Sequence, residues 1–179
     1  MTAEDVKKVI RNVPDFPIKG IQFKDITTAL AKPECLKWMR DEIVSRYKGL
    51  GITKIVGIES RGFIVAPAVA IELGIGFVPI RKPNKLPAET VSVTYAKEYG
   101  EDTIQMHKDA LSPEDVVLIH DDILATGGSM EAAINLVKKL GVKKIYVNCI
   151  IELEGLHGRE YLEGKAENVD CLFGIEVDE

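Results

Sequence analysis

The sequence predicts an α/β fold: a mostly parallel, twisted sheet flanked by helices. Three observations lead there. Short β-rich apolar runs at 54–58, 77–80, 116–119 and 143–153 alternate with segments whose apolar residues recur at helical spacing. Val116-Val117-Leu118-Ile119 is apolar at four consecutive positions, as in a strand buried on both faces. The chain has 179 residues and no repeat, low-complexity run or linker, so residues 1–179 are expected to form one domain with a real core. Crossovers between such parallel strands are right-handed.

Taken in order, residues 3–13 carry Val6, Ile10 and Val13 and predict a short helix ended by Pro14. Residues 14–28 hold two prolines and a glycine among apolar and aromatic residues, which predicts an irregular hood outside the sheet. Apolar linings of that kind suit a cap over a ligand. Pro33 opens a helix at a favoured first-turn position, with Leu36, Met39, Ile43 and Tyr47 as its apolar stripe and Trp38 covering core or a neighbour. A strand at 54–58, a helix at 63–73 ended by Gly74, and a strand at 77–80 follow. From 81 to 107 the chain turns polar, with Pro83 and Pro87 around a lysine cluster and short alternations at 91–94 and 103–107. That predicts a long mobile loop flanked by two antiparallel strands, a feature that in compact domains is usually functional. The strand 116–119, a helix carrying Met130, Ala133, Ile134, Val137 and Leu140, the strand 143–153, a short helix at 158–162 and a final strand at 171–175 complete the chain.

Composition narrows the function. Apolar residues make up 46% and charged residues 28%, and the net charge of −5 argues against a general nucleic-acid binder. The longest apolar runs are far too short for a membrane span, and the first residues carry no basic-then-apolar leader, so a cytoplasmic protein is expected. Cys35, Cys149 and Cys171 show no CxxC spacing and read as buried hydrophobes in a reducing compartment.

The chemistry concentrates at His120-Asp121-Asp122-Ile123-Leu124-Ala125-Thr126-Gly127-Gly128-Ser129. The pattern is strand, acidic pair, small-residue loop, helix N-terminus, and the carboxyl ends of strands are where open α/β sheets bind ligands. Gly127 and Gly128 allow close backbone approach, Thr126 and Ser129 offer hydroxyls, and the first helical N–H groups lack intrahelical partners. The loop alone is also compatible with an ordinary turn in which Ser129 is the N-cap. The neighbouring carboxylates favour a ligand carrying both phosphate and hydroxyl groups, since like charges this close need compensation. Glu59-Ser60-Arg61-Gly62-Phe63 has the same strand-to-helix placement. Arg61 there is either a surface partner of Glu59 or a pyrophosphate ligand.

The acidic pair with Ala125 to Ser129 resembles the phosphoribosyl-pyrophosphate signature of the type I phosphoribosyltransferases. Further matches run along nearly the whole chain. They include Phe16-Pro17, Gly20-Ile21, Phe23, Asp25-Ile26-Thr27, Glu59 to Phe63, Arg81-Lys82-Pro83, Lys85-Leu86-Pro87, Glu98-Tyr99-Gly100, Ile151-Glu152-Leu153 and Gly158-Arg159. Together they resemble the adenine phosphoribosyltransferases. The resemblance implies a type I phosphoribosyltransferase fold and the reaction of adenine with phosphoribosyl pyrophosphate to give AMP and pyrophosphate. By the same resemblance, Asp121 and Asp122 hold the ribose hydroxyls and Ala125, Thr126, Gly127, Gly128 and Ser129 cradle the 5′-phosphate. Glu59, Ser60 and Arg61 form the pyrophosphate loop, while Arg81, Lys82 and Lys85 add positive charge. Ile21, Phe23 and Lys24 face adenine. Glu98 is the candidate for sharing the base's proton, although it reads equally as a solvated loop glutamate, and Tyr99 lies on the closing loop. Mg²⁺ is expected to ride on the pyrophosphate and ribose oxygens with no protein cage. A homodimer is expected, with Arg81 reaching the partner's site, and neither nucleic acid nor membrane is an expected partner.

Three positions depart from the family's pattern. His120 replaces an aliphatic residue and reads as a core histidine. Lys19 stands for a common proline and Lys24 for a common arginine, which leaves backbone recognition of the base intact but removes an arginine contact. A guanine/hypoxanthine or orotate transferase shares the phosphate loop, and the hood and Glu98-Tyr99-Gly100 are what distinguish it. A phosphoribosyl-pyrophosphate-sensing transcriptional regulator would need a basic helix-turn-helix segment that this chain does not offer.

Overall fold

The computed structural model describes residues 1–97 and 100–177. Its centre is a five-stranded, all-parallel sheet in the order β4-β3-β7-β8-β9. Two small antiparallel hairpins lie outside it, β1–β2 and β5–β6. Along the chain come α1 (Ala3–Lys7), β1 (Arg11–Pro14), β2 (Gln22–Asp25), α2 (Thr27–Leu30) and α3 (Pro33–Tyr47). Then follow β3 (Lys54–Ile58), α4 (Gly62–Leu73), β4 (Gly76–Ile80), β5 (Thr90–Ala96) and β6 (Glu101–His107). The C-terminal half adds β7 (Val116–Leu124), α5 (Gly128–Lys138), β8 (Lys144–Glu154), α6 (Gly158–Tyr161) and β9 (Val169–Glu176).

Alternation along the strands assigns side chains to two cores. Val56, Val117, Ile119 and Val147 face α5 and the β5–β6 hairpin. Ile55, Leu118 and Ile150 face α1 to α4. Val117, Leu118 and Ile119 are fully buried, each worth roughly 1.5–3 kcal/mol in apolar transfer. In α3 the buried stripe is Cys35, Met39, Ile43 and Tyr47, while Leu36 is half-buried. Trp38 packs on Phe173 of β9, at 6.2 Å between ring centroids. All three cysteines are free and buried. Among the described residues, no helix is long and apolar enough to cross a membrane.

Three elements differ from the sequence expectation. The first helix stops at Lys7, and residues 11–14 form β1. Asn12 and Val13 are weak helix formers, and pairing Val13 with Phe23 of β2 satisfies their backbone in a ladder instead. The hood is thus partly a hairpin. The strand expected to end before the acidic pair continues to Leu124, because β8 is long enough to pair with it from Val116 to Leu124. In the 81–107 segment, β5 and β6 are seven residues each and pair throughout, so half of the expected loop is a hairpin, and residues 82–89 before it lie outside regular structure.

The strand order places the site. The chain lays β4 on one side of β3, then returns to lay β7, β8 and β9 on the other. The topology therefore reverses between β3 and β7, and the crevice outside their carboxyl ends is where such sheets bind ligands.

Candidate active site at the carboxyl edge of the sheet

The loops after β3 and β7 meet at that reversal. Gly62 opens α4 so close to β7 that a Cβ there would sit 2.7 Å from the His120 carbonyl oxygen. This approach lets Arg61 pair with Asp122 through Nε. The guanidinium also lies 5.5 Å over the Phe23 ring of the hood. The Arg61 pKa is raised: burial opposes its charge, but Asp122, Asp121 and Asp25 outweigh it. Arg61 does not pair with Glu59. That carboxylate instead accepts from Arg81 Nε at 3.0 Å and from the Lys82 N–H at 2.8 Å. The Lys82 N–H foremost, then Arg81, holds its pKa low against the effect of burial.

A cleft of about 330 Å³ opens beside Arg61. Its lining comprises residues 21–24 of the hood, Arg61, residues 121–130 and Leu153. The structure thus brings Ile21, Phe23, Lys24, Arg61, Asp121, Asp122, Ala125, Thr126, Gly127, Gly128 and Ser129 together around one space. Glu59, Ser60, Arg81, Lys82 and Lys85 are not part of that lining. Lys82 is taken up by Asp102 on β6, and Lys24 donates to Asn12 Oδ1 at 3.0 Å across the hood hairpin. Glu98 and Tyr99 lie outside the described residues.

The phosphate-type loop is built by backbone. Gly127 is the N-cap of α5 at φ +93, a left-handed conformation that favours glycine, and no side chain caps the helix. Ser129 lies inside the first turn, so the ordinary Ser-capped turn is not what forms here. Thr126 and Ser129 are exposed. Beneath the loop, α6 presses so tightly that a Cβ on Gly158 would lie 2.1 Å from the Ala125 carbonyl oxygen. N–H groups at the start of α5 and two hydroxyls then face the cleft, a good seat for an anion.

Asp121 and Asp122 project from the second half of β7. Burial first, then the charge of Asp122, pushes the Asp121 carboxyl well above the usual carboxylate range. The Asp122 N–H, donating to Asp121 Oδ1 at 2.9 Å, only partly offsets this. His120 is fully buried, and its Nδ1 lies 3.0 Å from Asn148 Oδ1 on β8. Burial depresses its pKa to about 4, so the ring is neutral at pH 7, as befits a core histidine. The anionic side chains lining the cleft are the carboxylates of Asp121 and Asp122, and no cluster of three or more His, Cys, Asp or Glu suited to a metal occurs among the described residues.

Sequence reasoning missed Ile123, Leu124, Met130 and Leu153 of the lining. The apolar pair Ile123-Leu124 directly after two carboxylates was the available signal that β7 runs on into the lining, because a strand that has ended would not need it.

Comparison with known proteins agrees with this geometry. The Phosphoribosyl transferase domain family matches residues 29–177. The adenine phosphoribosyltransferase of Bacteroides fragilis is 60% identical over 163 residues, covering 91% of this chain and 92% of that protein. The crystal structure of APRTase from Giardia lamblia complexed with 9-deazaadenine superposes with a TM-score of 0.93 at 46% identity, over 98% of both chains. That of the adenine phosphoribosyl transferase from Trypanosoma brucei, in complex with AMP, pyrophosphate and ribose-5-phosphate, gives 0.86 at 29% identity, over 96% of this chain and 78% of that one. With the switch-point cleft, the glycine-built anion loop and the paired aspartates in place, this chain belongs to the adenine phosphoribosyltransferase family.

Proposed function

We propose that the cleft carries out the family's reaction, moving the 5-phosphoribosyl group of phosphoribosyl pyrophosphate to N9 of adenine and releasing pyrophosphate. One observation carries the assignment: the loops after β3 and β7 flank a single crevice, with the Arg61 guanidinium between them and Phe23 beside it. Residues 125–129 take the 5′-phosphate, and Asp121 and Asp122 take the ribose hydroxyls. Arg61, with Glu59 and Ser60, frames the pyrophosphate, and Arg81, Lys82 and Lys85 supply positive charge around it. Adenine stacks near Phe23 against Ile21, with Leu124 across the lining. Lys24 contributes backbone, its ammonium being held by Asn12.

Breaking the anomeric bond leaves positive charge on ribose and negative charge on pyrophosphate, so positioning and electrostatics supply the rate. Glu98 is the proposed acceptor of the adenine proton, and Tyr99 part of the segment that excludes water from the ribosyl cation. The carboxylate oxygens of Asp121 and Asp122 in the lining would suit Mg²⁺ carried mainly by the substrate. When bound, the ion neutralises charge on the departing pyrophosphate.

A homodimer in the cytosol completes the proposal. The outer face of α4 supports it: Ile64 and Ile71 are exposed, Ile71 at 82%, and Pro67 and Ala68 between them are half-buried. A helix apolar all round is normally covered. Light scattering on the eluting chain and on Ile71→Glu reads this directly; a wild-type monomer refutes it. Arg81 must leave Glu59 of its own chain to reach a partner's cleft.

The deciding experiment is AMP formation from phosphoribosyl pyrophosphate with adenine, hypoxanthine, guanine or orotate, with and without Mg²⁺. Strong preference for adenine is expected. Turnover of another base at equal efficiency overturns the assignment.

A further inference from the structure

Ser129 has a second neighbour that the assigned roles do not use. The Tyr95 hydroxyl, on β5, lies 3.2 Å from Ser129 Oγ. The same hydroxyl lies 3.3 Å from Asp102 Oδ2 on β6. That carboxylate is already held by the Lys82 and Lys97 ammonium groups. The hairpin itself is fixed to α5 by Lys139, whose Nζ donates to the Ser92 carbonyl at 2.6 Å. Tyr95 is half-buried, so its ring has a definite place.

Counting protons gives this row a direction. Tyr95 and Ser129 each have one hydroxyl proton, and Asp102 can only accept. In one arrangement Tyr95 donates to Asp102 and Ser129 donates to Tyr95, so both protons point away from the loop. In the other, Tyr95 donates to Ser129, and Ser129 is left to donate outward. A phosphate in the loop offers only acceptors, so it selects the second arrangement. Asp102 loses one neutral donor in that change and keeps two charged ones.

We infer that Tyr95 is a positioning residue for the 5′-phosphate: its hydroxyl occupies a lone pair of Ser129 and turns the serine proton toward the ligand. The inference rests on the reading that residues 125–129 hold that phosphate. It ties the β5–β6 hairpin to the anion loop through one hydroxyl. The base-binding side of the cleft is untouched, because Tyr95 is not among the lining residues.

The test is a double-mutant cycle in the full chain with Tyr95→Phe, Ser129→Ala and the pair, reading kcat and both KM values alongside melting temperature. Tyr95→Phe keeps the ring and removes only the hydroxyl. It is expected to raise KM for phosphoribosyl pyrophosphate by about threefold to tenfold, the equivalent of one hydrogen bond. KM for adenine and the melting temperature stay at wild-type values. The double variant is expected to match Ser129→Ala alone, since Tyr95 acts through Ser129. Additive losses overturn the inference, as does a Tyr95→Phe chain whose melting point falls with both KM values altered. If Ser129→Ala impairs phosphoribosyl pyrophosphate while Tyr95→Phe behaves as wild type, the inference alone fails. If Ser129→Ala also leaves that KM unchanged, the phosphate role of Ser129 fails with it.

Discussion

Gly158→Ala is the sharpest test of the idea that α6 sets the height of the phosphate loop. The new Cβ would start 2.1 Å from the Ala125 carbonyl oxygen and 3.1 Å from Leu124 Cγ. Carbon–oxygen contacts settle at roughly 3.3–3.6 Å, so the loop or α6 must move by about 1 Å. The atom in the way is backbone, so no side-chain rotation relieves it. Overpacking of this kind costs about 1–3 kcal/mol. For a chain of this size, each kcal/mol lowers the melting temperature by roughly 2–4 °C. The functional cost is larger, because a misplacement of about 1 Å near reacting groups takes roughly 10²-fold from the rate. The comparison protein is Gly164→Ala. Gly164, unlike Gly158, has positive φ, +74, and a Cβ there meets nothing within 4 Å. It therefore carries backbone strain without pushing on the loop. Thermal melts and kcat/KM for phosphoribosyl pyrophosphate on both variants separate the two effects. Gly164→Ala is expected to melt lower with near-normal kinetics, and Gly158→Ala to lose about 10²-fold in kcat/KM. Equal kinetics in the two variants would refute the claim that α6 positions the loop.

Four further outcomes follow from the same geometry. Arg61→Lys replaces a fork that reaches Asp122 while lying over Phe23 by a point charge, and KM for phosphoribosyl pyrophosphate should rise about tenfold in steady-state assays. Asp121→Asn should melt higher at neutral pH yet bind phosphoribosyl pyrophosphate worse. The folded Asp121 pKa is raised, so its contribution to stability is intact below the unfolded value and is lost as pH rises through the folded one. Asp25 and Asp102 run the other way. Both carboxyls fall from 3.8 to about 2, Asp25 chiefly through Thr27 and Arg11, Asp102 through Lys82 and Lys97 against its burial. The stability they add is present above the unfolded value and lost as pH falls through about 2, so melts taken down that range should flatten in Asp25→Asn or Asp102→Asn. Glu98→Gln should lower kcat by more than it raises KM for adenine, toward the ~10²-fold expected of a lost general base; unchanged kinetics remove Glu98 from the chemistry.

Local signals carried the fold well where one interaction dominated. Val116 to Ile119 suited a buried strand and forms one, and Gly74 was expected to end α4, where it takes φ +68. Signals failed where a partner strand decided the matter. Asn12 and Val13 became strand because Phe23 and Lys24 were there to pair with. Asp121 and Asp122 stayed in strand because β8 outlasts the apolar run. Nothing in residues 116–124 by themselves announces the length of their neighbour.

The site shows the same limit in its charges. Glu59 and Arg61 are two residues apart, and proximity in sequence suggested a pair. The chain instead turns into α4 between them. Arg61 is thereby directed to Asp122, and Glu59 is left for Arg81 and the Lys82 amide. One pairing joins the segment after β3 to β7 itself and the other joins it to the segment after β4, so the crossed pattern depends on β3 lying between β4 and β7. That order has a chemical consequence. Asp122 is among the most buried of the polar groups, and it holds the guanidinium that a pyrophosphate would also claim. A ligand supplying an anion to Arg61 and hydroxyl donors to Asp122 meets both demands at once. One supplying only an anion strands a buried carboxylate. Inorganic pyrophosphate alone should therefore bind more weakly than phosphoribosyl pyrophosphate by more than its missing phosphate contacts explain, and Asp122→Asn should narrow that gap in competition titrations. A gap that Asp122→Asn leaves unchanged would show that the Arg61–Asp122 pair is not what couples the two loops.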